Sequence, residues 1–148
     1  MDIQYRKALP HDMPGIHALV RELAAYEKGL DKVTTTSESY TEDFSEGWFD
    51  AFIAEENGEI IGIALYTCMF STWRGRMLYL EDFVVRKAYR GHGIGKQLFD
   101  AFLKEARRQK AKLVKWQVLD WNTPGINFYK KYDTIFDKEW IDCKIYFE

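Results

Sequence analysis

The sequence predicts a single α/β domain over residues 1–148. Strand-like and helix-like segments interleave in the order β-α-α-β-β-β-α-β-α-β, with no repeat, linker or low-complexity stretch between them. Asn57-Gly58, set between two apolar runs, signals a two-residue hairpin turn, because both central positions of such a turn need a positive φ. Three glycines in five positions, Gly91, Gly93 and Gly95, join an apolar strand to an amphipathic helix. With 148 residues, 47% of them hydrophobic, the chain has the material for one core.

The elements follow in order. Residues 3–9 alternate as a short strand, and Pro10 to Asp12 starts a helix whose Ile16, Leu19, Val20 and Leu23 recur at helical spacing until residues 27–29. A polar loop at 34–37 leads into a weaker helix at 38–44. Residues 51–54 and 60–70 read as the hairpin strands, and a third strand spans 77–85 after the turn at Arg74-Gly75. The helix at 94–110 carries Ile94, Leu98, Phe102 and Ala106 on one core-facing stripe. A strand at 113–119 comes next. A short helix at 124–132 then has Asn122 or Thr123 as its cap and proline in the tolerated first turn, and residues 140–147 close the chain as a strand.

Composition excludes several classes. The longest apolar stretch, residues 60–70, is too short to cross a bilayer, and Met1-Asp2-Ile3-Gln4 lacks the basic-then-apolar signal pattern, so the expectation is a cytoplasmic protein without membrane contact. Cys68 and Cys143 lie in β-like apolar segments and are expected as reduced, buried thiols. Metal-ligand spacing is absent. Net charge is −2, but residues 33–73 hold eight acids and no Lys or Arg, whereas residues 86–115 hold ten basic residues against Asp100 and Glu105. Such a division suits an anionic cofactor on one part and a cationic substrate on another. Nucleic acid is not the expected partner of the basic part, whose charges are spaced around a helix that must also pack on a sheet.

Arg90-Gly91-His92-Gly93-Ile94-Gly95 is the most informative stretch. Its glycines let the backbone approach an anion, and the opening turn of the next helix presents unpaired N–H groups to it. A Walker loop does not fit, because Gly91 to Lys96 is one residue short and Gln97 stands where a magnesium-binding hydroxyl is needed. A dinucleotide-binding GxGxxG fails too, since the third glycine comes one position early and no early βαβ unit precedes it. R-x-x-G-x-G does fit, and it resembles the acetyl-coenzyme A pyrophosphate loop of the GNAT N-acetyltransferases.

Glu81 and Asp82 stand side by side in the apolar strand before this loop. Strand neighbours face opposite ways, so the two serve different surfaces unless a bulge intervenes. Amine acetylation requires a neutral nitrogen, and an alkylamine of pKa near 10.4 is below about one part in a thousand neutral at pH 7. A carboxylate base meets that need, and Glu81, directly or through a water, is the candidate. The departing thiolate requires an acid of high pKa, and Tyr129 suits it, because Asn122, Gly125 or Ile126, and Tyr129 line one helical face on which Gly125 leaves room for a cofactor.

The joined motifs narrow the resemblance. Tyr79-Leu80-Glu81-Asp82-Phe83, Tyr89 to Gly95, Trp121-Asn122-x-Pro124, Ile126-Asn127-Phe128-Tyr129-Lys130 and the N-terminal Glu22-Leu23-Ala24-x-Tyr26-Glu27 are similar to the diamine (spermidine/spermine) N-acetyltransferases, from residue 5 to about 132. This resemblance implies the GNAT fold, a mixed, mostly antiparallel sheet with splayed central strands flanked by helices. It also implies an acetyl-CoA-dependent N-acetyltransferase acting directly on a primary amine of a small cationic substrate, a diamine, a polyamine or a lysine analogue such as thialysine, without a metal. By the same resemblance Tyr129 is the general acid and Glu81 the proposed base. Phe83, Val84 and Val85 offer backbone to pantetheine, Arg90, Gly91, His92, Gly93, Ile94, Gly95 and Lys96 hold the pyrophosphate, and Asn122, Thr123, Pro124 and Gly125 line the other wall. Tyr26, Glu27, Glu81, Asp82, Trp116 and Gln117 fall where the family contacts its amine, and a homodimer is implied. Lys130-Lys131-Tyr132-Asp133 departs from the family's usual glycine turn, and the tail is shorter than in the animal enzymes. Two other functions stay open at this point, acetylation of a protein or peptide, and a non-catalytic acyl-CoA-binding module.

Overall fold

A computed structural model of the chain describes residues 1–147. It forms two compact units, Met1–Gln117 and Val118–Glu148. The first holds five strands in the order β1 (Gln4–Lys7), β2 (Asp50–Glu56), β3 (Glu59–Ser71), β4 (Gly75–Val85) and β5 (Leu113–Trp116). Adjacent strands are antiparallel except β4 and β5, which run parallel, so the sheet is mixed and mostly antiparallel as expected. The β2–β3 turn has Asn57 at φ +52° and Gly58 at φ +80°, the geometry that its sequence signalled.

Helices α1 (Met13–Tyr26) and α2 (Ser37–Ser45) cover one side of the sheet and α3 (Ile94–Arg108) the other. Met13, Ile16 and Leu19 on α1 are fully buried, and they pack with Ala51, Ile53, Ile63, Leu65 and Val84 of the strands. On α3 the expected stripe of Ile94, Leu98, Phe102 and Ala106 is buried, joined by Phe99. Phe102 meets Tyr66, and Phe99 meets Phe83 and Trp116, at ring separations of 5.3–5.6 Å. A Cβ on Gly62 would stand 3.0 Å from Leu98, so the missing side chain is what lets α3 sit close on β3. Covered on both sides, residues 60–66 of β3 are buried throughout, which explains a continuous apolar run instead of an alternating one.

Helix α2 is polar and short, and its start is fixed locally. Thr36 Oγ1 accepts the Ser39 N–H at 3.0 Å while Ser39 Oγ accepts the Thr36 N–H at 3.0 Å, a reciprocal cap that ties off two otherwise unpaired donors. In the second unit α4 (Thr123–Tyr129) is capped by Asn122, whose side chain accepts the Gly125 N–H at 3.2 Å.

Three expectations are corrected. Residues 140–147 form no strand over the described part 140–147, and Trp140, Ile141, Ile145, Tyr146 and Phe147 are exposed. Alternating apolar residues specify a strand only where a sheet edge and a covering layer are at hand, and here the tail has neither regular pairing nor burial. Cys143 lies in that tail and is exposed. Cys68 is exposed as well, because β2 starts at Asp50 opposite Tyr66, so β3 runs on past its β2 neighbour as an arm that also bares Met69 and Phe70. Boundaries also shorten: β5 stops at Trp116 instead of 119, α3 at Arg108 and α4 at Tyr129.

Candidate active site

The two adjacent acids sit on a β-bulge. Leu65 pairs with Asp82 and the next residue, Tyr66, pairs with Leu80, so Glu81 is the extra residue of β4. Cross-strand partners share a face, which places Asp82 with Leu65 on the side covered by α1 and α2. Burial there pushes the Asp82 carboxyl up to about 7, and the charges of Glu81 and then Glu27 add to the rise. Desolvation also raises the carboxyl of Glu27, the residue that ends α1. Tyr40, from α2, feels the same group: burial first, then the Asp82 charge and, more weakly, that of Glu81, hold its hydroxyl up at about 12, against a lowering hydrogen bond from Thr35.

Glu27, Tyr40, Glu81 and Asp82 therefore converge from α1, α2 and β4 into one acidic wall. The sequence singled out the three acids but not Tyr40. Its only signal was a pair of aromatics, Tyr40 and Phe44, four apart on an otherwise polar helix. Tyr40 is wedged edge-on against His17 (ring centroids 4.9 Å) and Phe49 (5.6 Å), and the His17 ring is held in turn by the Thr35 carbonyl at 2.9 Å.

The cofactor side begins where β4 and β5 part. They pair from Met77 with Leu113 to Leu80 with Trp116, and β4 then continues from Glu81 to Val85 with no β5 residue beside it. This is the splay that the family resemblance implies. The Arg86 N–H donates to the Ile61 carbonyl at 2.8 Å, toward β3, so strand alternation turns the backbone groups of Phe83 and Val85 to the open side. The Val85 carbonyl already accepts from Arg90 Nε at 2.9 Å. The side chains of Phe83 and Val84 are packing residues, against Phe99 and in the α1 layer respectively. Val84 also turns its backbone to β3, so the expected Val84 contact with pantetheine is corrected, and its role is packing.

In the loop, Gly91 (φ +82°) and Gly93 (φ +79°) take the left-handed backbone that favours glycine, and a Cβ on either would have no atom within 4 Å. Gly93 is the N-cap of α3 and offers no side-chain cap, the first turn carries no acid, and the helix ladder begins with the Gln97 N–H on the Gly93 carbonyl at 3.1 Å. An uncapped helix start below open space fits a pyrophosphate. Among the other predicted loop residues, Ile94 is buried core, His92 Nδ1 lies 3.2 Å from the Tyr89 carbonyl, and Lys96 is paired with Asp100 at 2.5 Å. Arg90 lies over the ring of Tyr26 at 5.8 Å, which brings one predicted amine-contacting residue onto the cofactor loop. Trp116 stacks edge-on with Phe99, and Gln117 follows it exposed.

In the second unit Tyr129 is buried at 7% exposure, more so than Phe128, and the two rings meet edge-on at 5.5 Å. The space in front of Gly125 is taken by its own cap: a Cβ there would meet Asn122 Nδ2 at 2.8 Å, so glycine is needed for the Asn122 side chain to turn in. A separate cavity of about 350 Å³ in the first unit, lined by Lys7, Trp48, Asp50, Tyr66, Cys68 and Gln109 among others, holds none of the acids of the wall and none of the glycine-loop residues. Its charges are mutually satisfied, Lys7 pairing with Asp50 at 2.6 Å and with the Tyr66 hydroxyl at 2.9 Å. Among the described residues no group of three or more His, Cys, Asp or Glu could hold a metal, and no helix is long and apolar enough to cross a membrane.

A desolvated Asp82 flanked by the exposed acids Glu27 and Glu81, beside an open strand edge and an anion cradle, is an arrangement in which a cation can be brought to an activated acyl group. Comparison with known proteins agrees. Residues 16–133 match the acetyltransferase (GNAT) family. The chain is 36% identical over 138 residues to the thialysine N-epsilon-acetyltransferase of Bos taurus, covering 86% of this chain and 81% of that protein. It is 35% identical over 135 residues to the human spermidine/spermine N(1)-acetyltransferase-like protein 1, covering 85% of this chain and 19% of that protein. An aminoglycoside acetyltransferase from an uncultured soil metagenomic sample, solved with trehalose, shares the fold at a TM-score of 0.81 and 17% identity over 99% of this chain and 97% of that one. Acetyl-CoA is the acetyl donor of this family, and the chain is a member of the GNAT acetyltransferases, within the spermidine/spermine acetyltransferase group.

Proposed function

We propose that the protein transfers the acetyl group of acetyl-CoA to a primary amine of a small cationic substrate, a diamine, a polyamine or a lysine analogue such as thialysine. The observation that carries this reading is the acidic wall: three carboxyl groups from α1 and β4 lie together, and Asp82 is held near 7 by burial and by its neighbours' charges. A protonated amine entering there relieves that repulsion, and the Asp82 proton is released as the cation takes its place.

Acetyl-CoA supplies the activated acyl group. The chain's own residues do the rest. Phe83 and Val85 offer backbone groups along the open edge of β4, and the Gly91–Gly95 turn with the start of α3 receives the pyrophosphate. Glu81, put out of the regular pairing by the bulge, takes a proton from the amine directly or through a water, and Asp82 and Glu27 hold the remaining positive charge. Tyr129 is assigned to donate a proton to the departing thiolate, a step open to a phenol hydroxyl, which carries the proton to give. Asn122, Thr123, Pro124 and Gly125 contribute chiefly through the turn that carries α4. The family match crosses both units, from residue 16 to residue 133, which supports one catalytic domain. A cytoplasmic homodimer completes the reading, as the family resemblance implies.

Release of free coenzyme A thiol, measured with putrescine, spermidine, lysine and thialysine, tests the substrate class. Turnover is expected with at least one of them. Silence with all four, together with acetylated products from a peptide mixture, would replace this reading with peptide acetylation.

A further inference from the structure

The connection from β4 to the glycine loop is tied down by side chains that no catalytic step uses. Arg86, the residue after β4, donates its N–H to the Ile61 carbonyl at 2.8 Å. Its guanidinium bonds to Glu59 through Nη1 and reaches Glu22 at 3.3 Å through Nη2 and 3.5 Å through Nε. Glu22 belongs to α1 and Glu59 opens β3, so one side chain joins three elements. Three residues on, the Tyr89 hydroxyl donates to Glu56 of β2 at 2.9 Å. Further along, Arg90 Nε bonds back to the Val85 carbonyl at 2.9 Å and His92 Nδ1 lies 3.2 Å from the Tyr89 carbonyl, contacts within the connection itself, while Gly91 and Gly93 have nothing packed where a side chain would stand. Arg86 and Tyr89 tie this connection to β2, β3 and α1.

We propose that Arg86 is a positioning residue for the cofactor loop: by bridging Glu22 and Glu59 it holds the connection from β4 to Gly91 in the form that receives the pyrophosphate. The proposal rests on the acetyl-CoA reading of the loop. Ordering two left-handed glycines costs chain entropy, and a loop already held at its entrance loses less of it when the ligand binds. The Arg86 side chain is 25% exposed and its partners 50% and 63%, so each ion pair alone adds little to the stability of the fold. A direct attraction between Arg86 and the phosphates is the competing account, and the acids separate the two. Neutralising Glu22 and Glu59 removes negative charge near an anion site, which on electrostatics alone would tighten binding. If Arg86 works as a bridge, the same change must weaken it.

The test is calorimetric titration of coenzyme A and the acetyl-CoA KM for the unmodified chain, Arg86→Gln, Arg86→Lys and the double variant Glu22→Gln with Glu59→Gln, with thermal melts in parallel. Arg86→Gln is expected to raise Kd and KM about three- to tenfold with kcat within about twofold. The double acid variant should weaken binding by a similar factor, and combining it with Arg86→Gln should add nothing further. Unchanged binding in Arg86→Gln overturns the proposal, and so does a double acid variant that binds as tightly as the unmodified chain or more tightly. Should Arg86→Gln fail to fold, Arg86→Lys decides: it keeps the charge but satisfies one acid instead of two, so an intermediate loss supports the bridge and an unchanged KM refutes it. An unmodified chain that binds no coenzyme A would overturn the cofactor reading and this proposal with it, an outcome distinct from variants that merely match the unmodified chain.

Discussion

The acidic wall and the glycine loop lie at neighbouring stretches of one strand-and-turn segment yet are built by opposite means. The loop works through backbone: two left-handed glycines, an uncapped helix start and empty space where side chains would be. The wall works through side chains whose properties are set by distant parts of the chain, Glu27 from α1, Tyr40 from α2 and Asp82 from β4. A site made of backbone recognises a ligand by shape and dipole and is hard to retune by substitution. One made of side chains gathered around a desolvated carboxylate, Asp82, can change its preferred cation by altering a single neighbour. The family's common cofactor and varied amines correspond to that division.

Tyr129 provides the largest expected effect, since it belongs to neither region. Tyr129→Phe should lower kcat by about 10²-fold or more, the usual worth of a positioned proton donor, with the Kd for coenzyme A and the amine KM within about twofold. A kcat within threefold of the unmodified enzyme would remove Tyr129 from the acid role. Asp82→Asn comes next and probes the wall. It should lower kcat/KM for a diamine by about 10- to 100-fold, leave the Kd for coenzyme A unchanged, and flatten the acidic limb of the pH profile near 7. Stability should move the other way. The Asp82 pKa rises on folding from an ordinary 3.8 to about 7, so the folded state is favoured by protonation, and stability falls as pH climbs from below 3.8 through 7. Asp82→Asn removes that loss, and its melting temperature should exceed the unmodified chain's at pH 8 and match it below pH 4, with a ceiling of ~4 kcal/mol on the gain. Equal melting temperatures at both pH values would mean that the carboxylate is solvated.

The two regions also differ in how legible they were. The glycine loop, the Asn57-Gly58 turn, the α3 stripe and the Asn122 cap are local, because each depends on residues within about one turn of each other, and the sequence carries all of them. Tyr40 was not legible as part of the wall, since nothing within α2 says that its ring will stand between His17 and Phe49 near Asp82. Nor was the bulge, although the adjacent acids posed the question it answers: whether Glu81 and Asp82 diverge depends on the β3 register, a long-range property. The exposed Cys68 and the unpaired tail share one cause. Apolar alternation reports what a segment could bury, and burial is decided by whether another element arrives to cover it.

Gly93→Ala tests the loop alone. A Cβ at φ +79° costs about 1 kcal/mol in backbone strain and puts a methyl group into the space assigned to the pyrophosphate, with no neighbouring atom to clash with. The acetyl-CoA KM should rise about tenfold while the amine KM, measured at saturating cofactor, stays unchanged. A matching rise in the amine KM would show that loop and wall are one coupled unit and would end the comparison. Lys96→Ala should be the mildest. Its ammonium is already committed to Asp100, four residues on along the same helix, so whatever it adds to phosphate binding must first be taken from that pair. The expected rise in acetyl-CoA KM is about twofold, and Asp100→Ala, which frees the lysine, should lower the KM by a similar factor. If Lys96→Ala instead matches the loss in Gly93→Ala, the loop recognises the pyrophosphate by side-chain charge as much as by backbone, and the contrast with the wall becomes one of degree.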